Sequence, residues 1–259
     1  MTAGSPWNRA VITGAASGIG LAFARTLAAE GVALGLIDVS ERGLGDVASE
    51  LRGREATVHV RVADIASTDT VNASFSELDA ALGGIDLVVH CAAILGSGCF
   101  TEQSAEDFER VLRVNLMGTA NVVRACVPSL RSSRGSVACI ASTAALHGWP
   151  EMSAYSTAKF GVAGFCDAVR PELGRDGVGV TVVFPLLIDT PLLASPDLAP
   201  ILKQGKAIPA QTVVDKTLAG LRKRKDRIYV PATVRWVAAL QGLAPSLLDA
   251  YGKRFGLRR

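Results

Sequence analysis

At 259 residues, with 49% hydrophobic and 20% charged side chains, the chain can bury a sizeable core as one large or two small domains, which excludes intrinsic disorder. Its net charge of +3 hides an asymmetry: residues 221–259 hold ten Lys or Arg against two Asp or Glu, a net of +8, while the rest holds 17 against 22, a net of −5. The basic balance is thus local, and a general nucleic-acid footprint is excluded.

No apolar run reaches the roughly 20 residues that span a bilayer. Met1 to Asn8 lacks an apolar signal region, so secretion is not expected. Five cysteines, odd in number and without a Cys-x-x-Cys pair, and three scattered histidines point to free thiols in a cytoplasmic setting and to no metal site.

Along the chain, Arg9 to Thr13, Val32 to Asp38, Ala56 to Val62, Ile85 to Cys91, Gly135 to Ser142 and Val178 to Phe184 are short, β-branched and nearly continuously apolar. Strands covered on both faces have this composition. Between them lie helix-length stretches, among them Gly18 to Ala29, Ser104 to Leu130 and Ser153 to Gly174. The alternation predicts a single α/β domain over residues 1–259, with a doubly wound parallel sheet of the Rossmann type between two helical layers. After Phe184 the rhythm breaks into a Leu- and Pro-rich stretch; residues 186–209 suit a mobile segment covering a site better than a sheet element.

The first strand runs into Thr13-Gly14-Ala15-Ala16-Ser17-Gly18-Ile19-Gly20 and then a helix. Glycines here permit a tight turn and close backbone approach to a pyrophosphate, which sits on the free N–H groups of the helix N-terminus. A glycine cluster alone fits a structural turn equally well; its place in the first strand–helix unit favours dinucleotide binding. Asp38 ends the second strand, where a carboxylate accepts bonds from ribose hydroxyls and repels a 2′-phosphate. NAD is therefore expected over NADP, although Arg42 lies close in sequence; Ser40 is the better helix N-cap.

Tyr155 and Lys159 are four residues apart, on one face of a helix. A free phenol has a pKa near ~10, and a neighbouring ammonium is expected to lower it towards the range of efficient general acid–base catalysis. Such pairs also occur as surface contacts. Ser142, at the end of its strand, would lie on the carboxyl edge of the sheet, where open α/β sheets bind ligands. No Gly-x-Ser-x-Gly elbow surrounds any serine, which disfavours a hydrolase.

Together, Thr13-Gly14-x-x-x-Gly18-x-Gly20, Asp38, Asp64-Ile65, Asn115, Ser142, Tyr155-x-x-x-Lys159, and Pro185 with Thr190 resemble the short-chain dehydrogenase/reductase family over about residues 7–192. The resemblance implies hydride transfer between a nicotinamide dinucleotide and an alcohol or ketone. It makes Ser142, Tyr155 and Lys159 a catalytic triad, with Asn115 as fourth member, bending its helix and holding a water that links Lys159 to solvent. It also implies that Asp64 contacts adenine beside Ile65, that Lys159 binds the nicotinamide ribose, and that Ile188 and Thr190 hold the carboxamide. Ser17, Ile19, Ala92 and Pro185 join the cofactor set. The long helices imply a homo-oligomer, a dimer or tetramer.

Two positions depart from the family pattern. His90-Cys91-Ala92-Ala93 stands where the family has Asn-Asn-Ala-Gly, and His90 is expected to be a buried strand residue with a hydrogen-bond partner. Leu186 stands where the family has a glycine, and it would crowd or line the nicotinamide side of the pocket.

The segments expected around the substrate are apolar: Ile94 and Leu95, Leu146 to Trp149 with His147, Met152, and Leu186, Leu187, Leu192 and Leu193. They predict a small lipophilic secondary alcohol or ketone. In residues 232–259, Leu243, Leu247, Leu248, Tyr251 and Phe255 form a stripe at helical spacing flanked by Lys253, Arg254, Arg258 and Arg259. Such a basic amphipathic extension can touch an anionic membrane, pack on the substrate cleft or meet another subunit. A non-catalytic dinucleotide sensor on the same fold remains the contrasting class, disfavoured by the presence of the whole triad.

Overall fold

A computed structural model describes residues 5–194 and 198–257; the first four residues, residues 195–197 of the covering segment and the terminal Arg258 and Arg259 lie outside it. In chain order the elements are β1 (Arg9–Thr13), α1 (Gly18–Ala29), β2 (Ala33–Asp38), α2 (Glu41–Arg52), β3 (Val58–Val62), α3 (Thr68–Leu82), β4 (Leu87–His90), α4 (Ala105–Leu112), α5 (Gly118–Ser133), β5 (Ser136–Ile140), α6 (Ser153–Gly174) and β6 (Gly179–Pro185). There follow β7 (Ile188–Asp189), β8 (Ile208–Pro209), α7 (Ala210–Leu221), β9 (Arg227–Val230), α8 (Arg235–Leu243) and α9 (Pro245–Phe255).

Seven strands form one parallel sheet in the order β3-β2-β1-β4-β5-β6-β9. The six apolar runs seen in the sequence are its strands, with ends shifted by at most two residues. Except in edge strand β3, their side chains are buried on both faces: Ala10, Ile12 and Leu36 face α1, α2 and α7, whereas Val11, Val88 and Val137 face α3, α5 and α6. Three layers result, as the alternation requires. Successive connections run one way from β1 to β2 and the other way from β4 onward, so a crevice opens beyond the carboxyl ends of β1 and β4, the place where such sheets take ligands.

Four features correct the sequence reading. A seventh strand, β9, pairs with β6 at the edge, beyond the point where the rhythm broke. The covering segment contains a sheet element, because β7 and β8 pair with Ile188 opposite Ile208. The long helix predicted over 104–130 is interrupted: a π-turn at Arg113–Met117 separates α4 from α5. The tail is not one continuous stripe. Ala244, at φ −151°, and Pro245 at the first position of α9 divide it; Leu248 turns inward, while Leu243 and Leu247 stay exposed. Among the described residues no helix is long and apolar enough to cross a membrane, and all five cysteines are free.

Candidate active site

The crevice holds two connected hollows. The first, of about 450 Å³, is lined by Gly14, Ser17, Gly18, Ile19 and Gly20, by Asp38, Asp64 and Ile65, and by Ala92, Ile94 and Thr190. Gly14 has φ +66°, a left-handed conformation that favours glycine, and a Cβ there would stand 2.7 Å from the Ala92 nitrogen. Gly18 has φ +52°, and a Cβ on it would meet Thr190 at 3.1 Å. Ser17 precedes α1 without a side-chain cap, so the first-turn N–H groups of that helix remain to face an anion. Asp38 accepts bonds from Ala16 N and Ser40 N, both at 3.0 Å, which fixes its carboxylate at the groove wall. Ser40, not Asp38, caps α2 by accepting from Gly43 N at 3.1 Å. A glycine cradle, an open helix N-terminus and a terminal carboxylate fit a dinucleotide.

The second hollow, of about 530 Å³, contains Ser142, Tyr155 and Lys159 at one end and is otherwise mostly apolar, with Trp149, Met152, Leu186, Leu187, Leu192 and Leu193 in its wall. β5 ends at Ile140, so Ser142 does not end the strand. It stands just past it and heads a short 3-10 turn, accepting from Ala144 N at 3.1 Å. Tyr155 lies in the first turn of α6 and lines the same end of the cavity as Ser142, whose side chain acts to lower the phenol. Lys159, one turn on, is buried and donates from Nζ to the Ile140 carbonyl at 3.0 Å.

The expected lowering of the Tyr155 phenol does not occur. Burial pushes it up to about 12, against a lowering by the Ser142 side chain. Burial also pulls Lys159 down to about 8, since a charged ammonium is costly away from water. The lysine nitrogen sits 5.5 Å from the tyrosine ring centroid and spends a donor on Ile140, so desolvation outweighs its attraction for a phenolate.

Asn115 occupies the π-turn and does not line either hollow. Its amide clasps the backbone of Ile94, accepting from Ile94 N at 2.9 Å and donating to Ile94 O at 2.8 Å. Ile94 is consequently held in the groove wall and not in the catalytic cavity, where Leu95 takes the place expected for it. Pro185 and Ile188 line the cavity, and Thr190 lines both hollows. His90 is buried, as its strand position predicts, and burial lowers it to about 3, so it is neutral. Its Nδ1 lies 2.7 Å from Thr13 Oγ1, and its Nε2 lies 3.0 Å from Thr119 Oγ1. Thr13 Oγ1 accepts from Ala92 N, and Thr119 Oγ1 donates to the Asn115 carbonyl at 2.6 Å. One chain of donors therefore runs from Ala92 through Thr13 to Nδ1, and from Nε2–H through Thr119 to the π-turn.

Val237, Leu248 and Tyr251 of α8 and α9 also line the cavity, so part of the tail packs on the cleft, one of the three placements its sequence leaves open; Val237 lies outside the stripe. His147 anchors them: Nδ1 lies 2.7 Å from Gln241 Oε1, and the ring packs edge-on against Trp149 at 4.6 Å, which in turn meets Tyr251 at 6.1 Å. The only sequence signal was the apolar stripe of the tail.

A family model described as short chain dehydrogenase matches residues 8–198. The probable oxidoreductase EphD of Mycobacterium tuberculosis is 32% identical over 246 residues, covering 93% of this chain but 42% of that protein, so the chain spans less than half the length of this relative. A short-chain dehydrogenase/reductase of Burkholderia phymatum, solved in complex with NAD, aligns with a TM-score of 0.84 at 27% identity, covering 93% of this chain and 95% of that one. An alcohol dehydrogenase of Thermococcus sibiricus, complexed with 5-hydroxy-NADP, aligns with a TM-score of 0.79 at 25% identity, covering 86% and 95%. With the seven-stranded parallel sheet and a family match over most of its length, the chain belongs to the short-chain dehydrogenase family.

Proposed function

We propose that the chain is an oxidoreductase that interconverts lipophilic secondary alcohols and ketones with NAD(H), using Tyr155 as the proton-transfer group. The observation that carries the reading is that the glycine-cradled groove shares a wall, through Ile19, Cys91, Ala93, Thr190 and Leu192, with an apolar cavity that holds Ser142 and Tyr155. Gly14 to Gly20 and Asp38 would hold the dinucleotide, with Ile188 and Thr190 beside its nicotinamide end, and the bound nicotinamide supplies or accepts the hydride. Asp38 favours NAD, since a 2′-phosphate beside a carboxylate is repelled.

Ser142 holds the substrate oxygen by a hydrogen bond. In ketone reduction Tyr155 donates its phenolic proton to that oxygen. A phenol held near about 12 is fully protonated at neutral pH, which suits this acid role. In alcohol oxidation the phenol must first lose its proton. The first turn of α6 and the Lys159 ammonium favour the resulting phenolate. Oxidation therefore accelerates as pH rises, while reduction holds level over the neutral range. Apolar walls select substrates at about 25 cal/mol per Å² of buried apolar surface.

The test is a screen in which the protein, NAD and a graded set of alcohols are followed by the absorbance of reduced nicotinamide. Hydrophobic secondary alcohols are expected to turn over and small polyols to fail. Turnover of polyols alone would overturn the lipophilic assignment, and a preference for NADP would overturn the cofactor assignment. No turnover in either direction would leave the sensor reading.

A further inference from the structure

The cavity wall is one-sided in charge. Among the described residues its charged side chains are Lys159 and Lys206, and no Asp or Glu of those residues lines it. Lys159 is buried at the catalytic end and committed to Ile140. Lys206 is exposed, and no ion pair among the described residues uses it.

The backbone holds Lys206 at the rim. It follows Gly205, which turns at φ +92°, and stands two residues before the start of β8. Ile208 N then donates to Leu187 O at 2.9 Å, and Ile208 stands opposite Ile188; Leu187 and Ile188 both line the cavity. The mouth is marked by Leu186 and Tyr251, which line the cavity while remaining 49% and 44% exposed. The dinucleotide groove does not include Lys206; its charged residues are Asp38, Asp64 and Arg110. Elements next to the rim add mostly charge of the same sign, against exposed Asp189 of β7. Exposed Lys203 ends the 3-10 turn that packs against α9, and α9 ends in exposed Lys253 and Arg254. Asp249, the acidic residue of α9, faces His147 Nε2 at 3.8 Å.

An apolar passage with a hydroxyl pair at its inner end and an unpaired cation at its outer end is complementary to an amphiphile. We propose that the substrate carries its alcohol or ketone at one end of an apolar body and an anionic group, a carboxylate or phosphate ester, at the other, and that Lys206 selects that group. The proposal rests on the cavity being the alcohol or ketone site, and it adds the chemistry of the far end. A solvent-facing ion pair is modest, so Lys206 sets preference and not catalytic rate.

The test measures binding of unreactive amphiphiles, so it does not depend on turnover. In the presence of NAD, the protein is titrated calorimetrically with a saturated fatty carboxylate, an alkyl phosphate monoester and the primary amide of equal chain length. The anions are expected to bind roughly two- to fivefold more tightly than the amide, with the gap shrinking in high salt. Lys206→Gln should abolish the gap and Lys206→Glu should invert it, whereas Lys203→Gln, outside the wall, should leave it. The larger of the two anion gaps names carboxylate or phosphate as the group. Equal affinity for anions and amide in the wild type, or a gap that survives Lys206→Gln, overturns the proposal. An intact gap with no turnover of any alcohol or ketone overturns the reaction reading alone.

Discussion

The dinucleotide groove and the catalytic cavity share Ile19, Cys91, Ala93, Thr190 and Leu192 in their walls, yet they are built in opposite ways. The cradle of the groove is mostly backbone: one tight turn, one helix start and one strand end, all within β1 to β2, set by glycines that no other residue can replace without strain or collision, while Asp64, Ala92 and Thr190 from later segments complete the wall. The cavity is mostly side chain, gathered from β5, α6, the segment after β6 and the two C-terminal helices. A site made locally leaves a motif in the sequence, whereas a site made from distant segments leaves only their apolar character. Each can therefore be broken without the other.

The largest effect is expected from Tyr155→Phe, which removes the proton donor and leaves the groove intact. Turnover should fall on the order of a thousandfold, while calorimetry shows dinucleotide affinity little changed. Gly14→Ala reverses the pattern, because its methyl must enter at φ +66° against the Ala92 backbone. Dinucleotide affinity should fall by roughly a hundredfold and stability by about 2 kcal/mol, yet amphiphile binding in the cavity should persist. Asp38→Ser alters only the selectivity of the groove, and the ratio of NADP to NAD affinity should rise about tenfold.

The smallest expected effect concerns Lys159→Met and lies in stability. Burial lowers the native Lys159 to about 8, so the unfolded chain, with its ordinary lysine, binds more protons above that value. Wild-type stability contributed at this site thus rises with pH above about 8. Chemical denaturation should find the variant more stable than wild type at neutral pH, with the difference shrinking by about 1 kcal/mol per pH unit between about 8 and about 9. Above that window the buried Cys126 and its neighbours, whose thiols are raised, pull stability the other way as their unfolded counterparts ionise. A difference that stays flat with pH would show that Lys159 is not desolvated.

Much of this was legible beforehand. Arg9–Thr13, Gly18–Ala29 and Ser153–Gly174 are bounded as the sequence pattern bounds them, because period and punctuation agree there. β9 was not legible: Arg227–Val230 is a four-residue edge strand after a basic run, and its first residue is exposed. The Tyr155 phenol was misjudged because spacing reports which charges are near and says nothing of how much water remains. The tail reads as one stripe, yet only contact with Trp149 and His147 decides which of its residues turn inward.

The π-turn at Arg113–Met117 sets a limit on how this chain can change in length. Each residue advances an α-helix by roughly 100°. Upstream of the widened turn α4 points Val111 into the cluster around Tyr155; downstream α5 points Val122, Cys126 and Leu130 into the sheet. Removing one residue from the turn would rotate these two faces against each other and pull the Asn115 clasp away from Ile94. A one-residue deletion that a surface loop absorbs would here put the two halves of the helix out of phase.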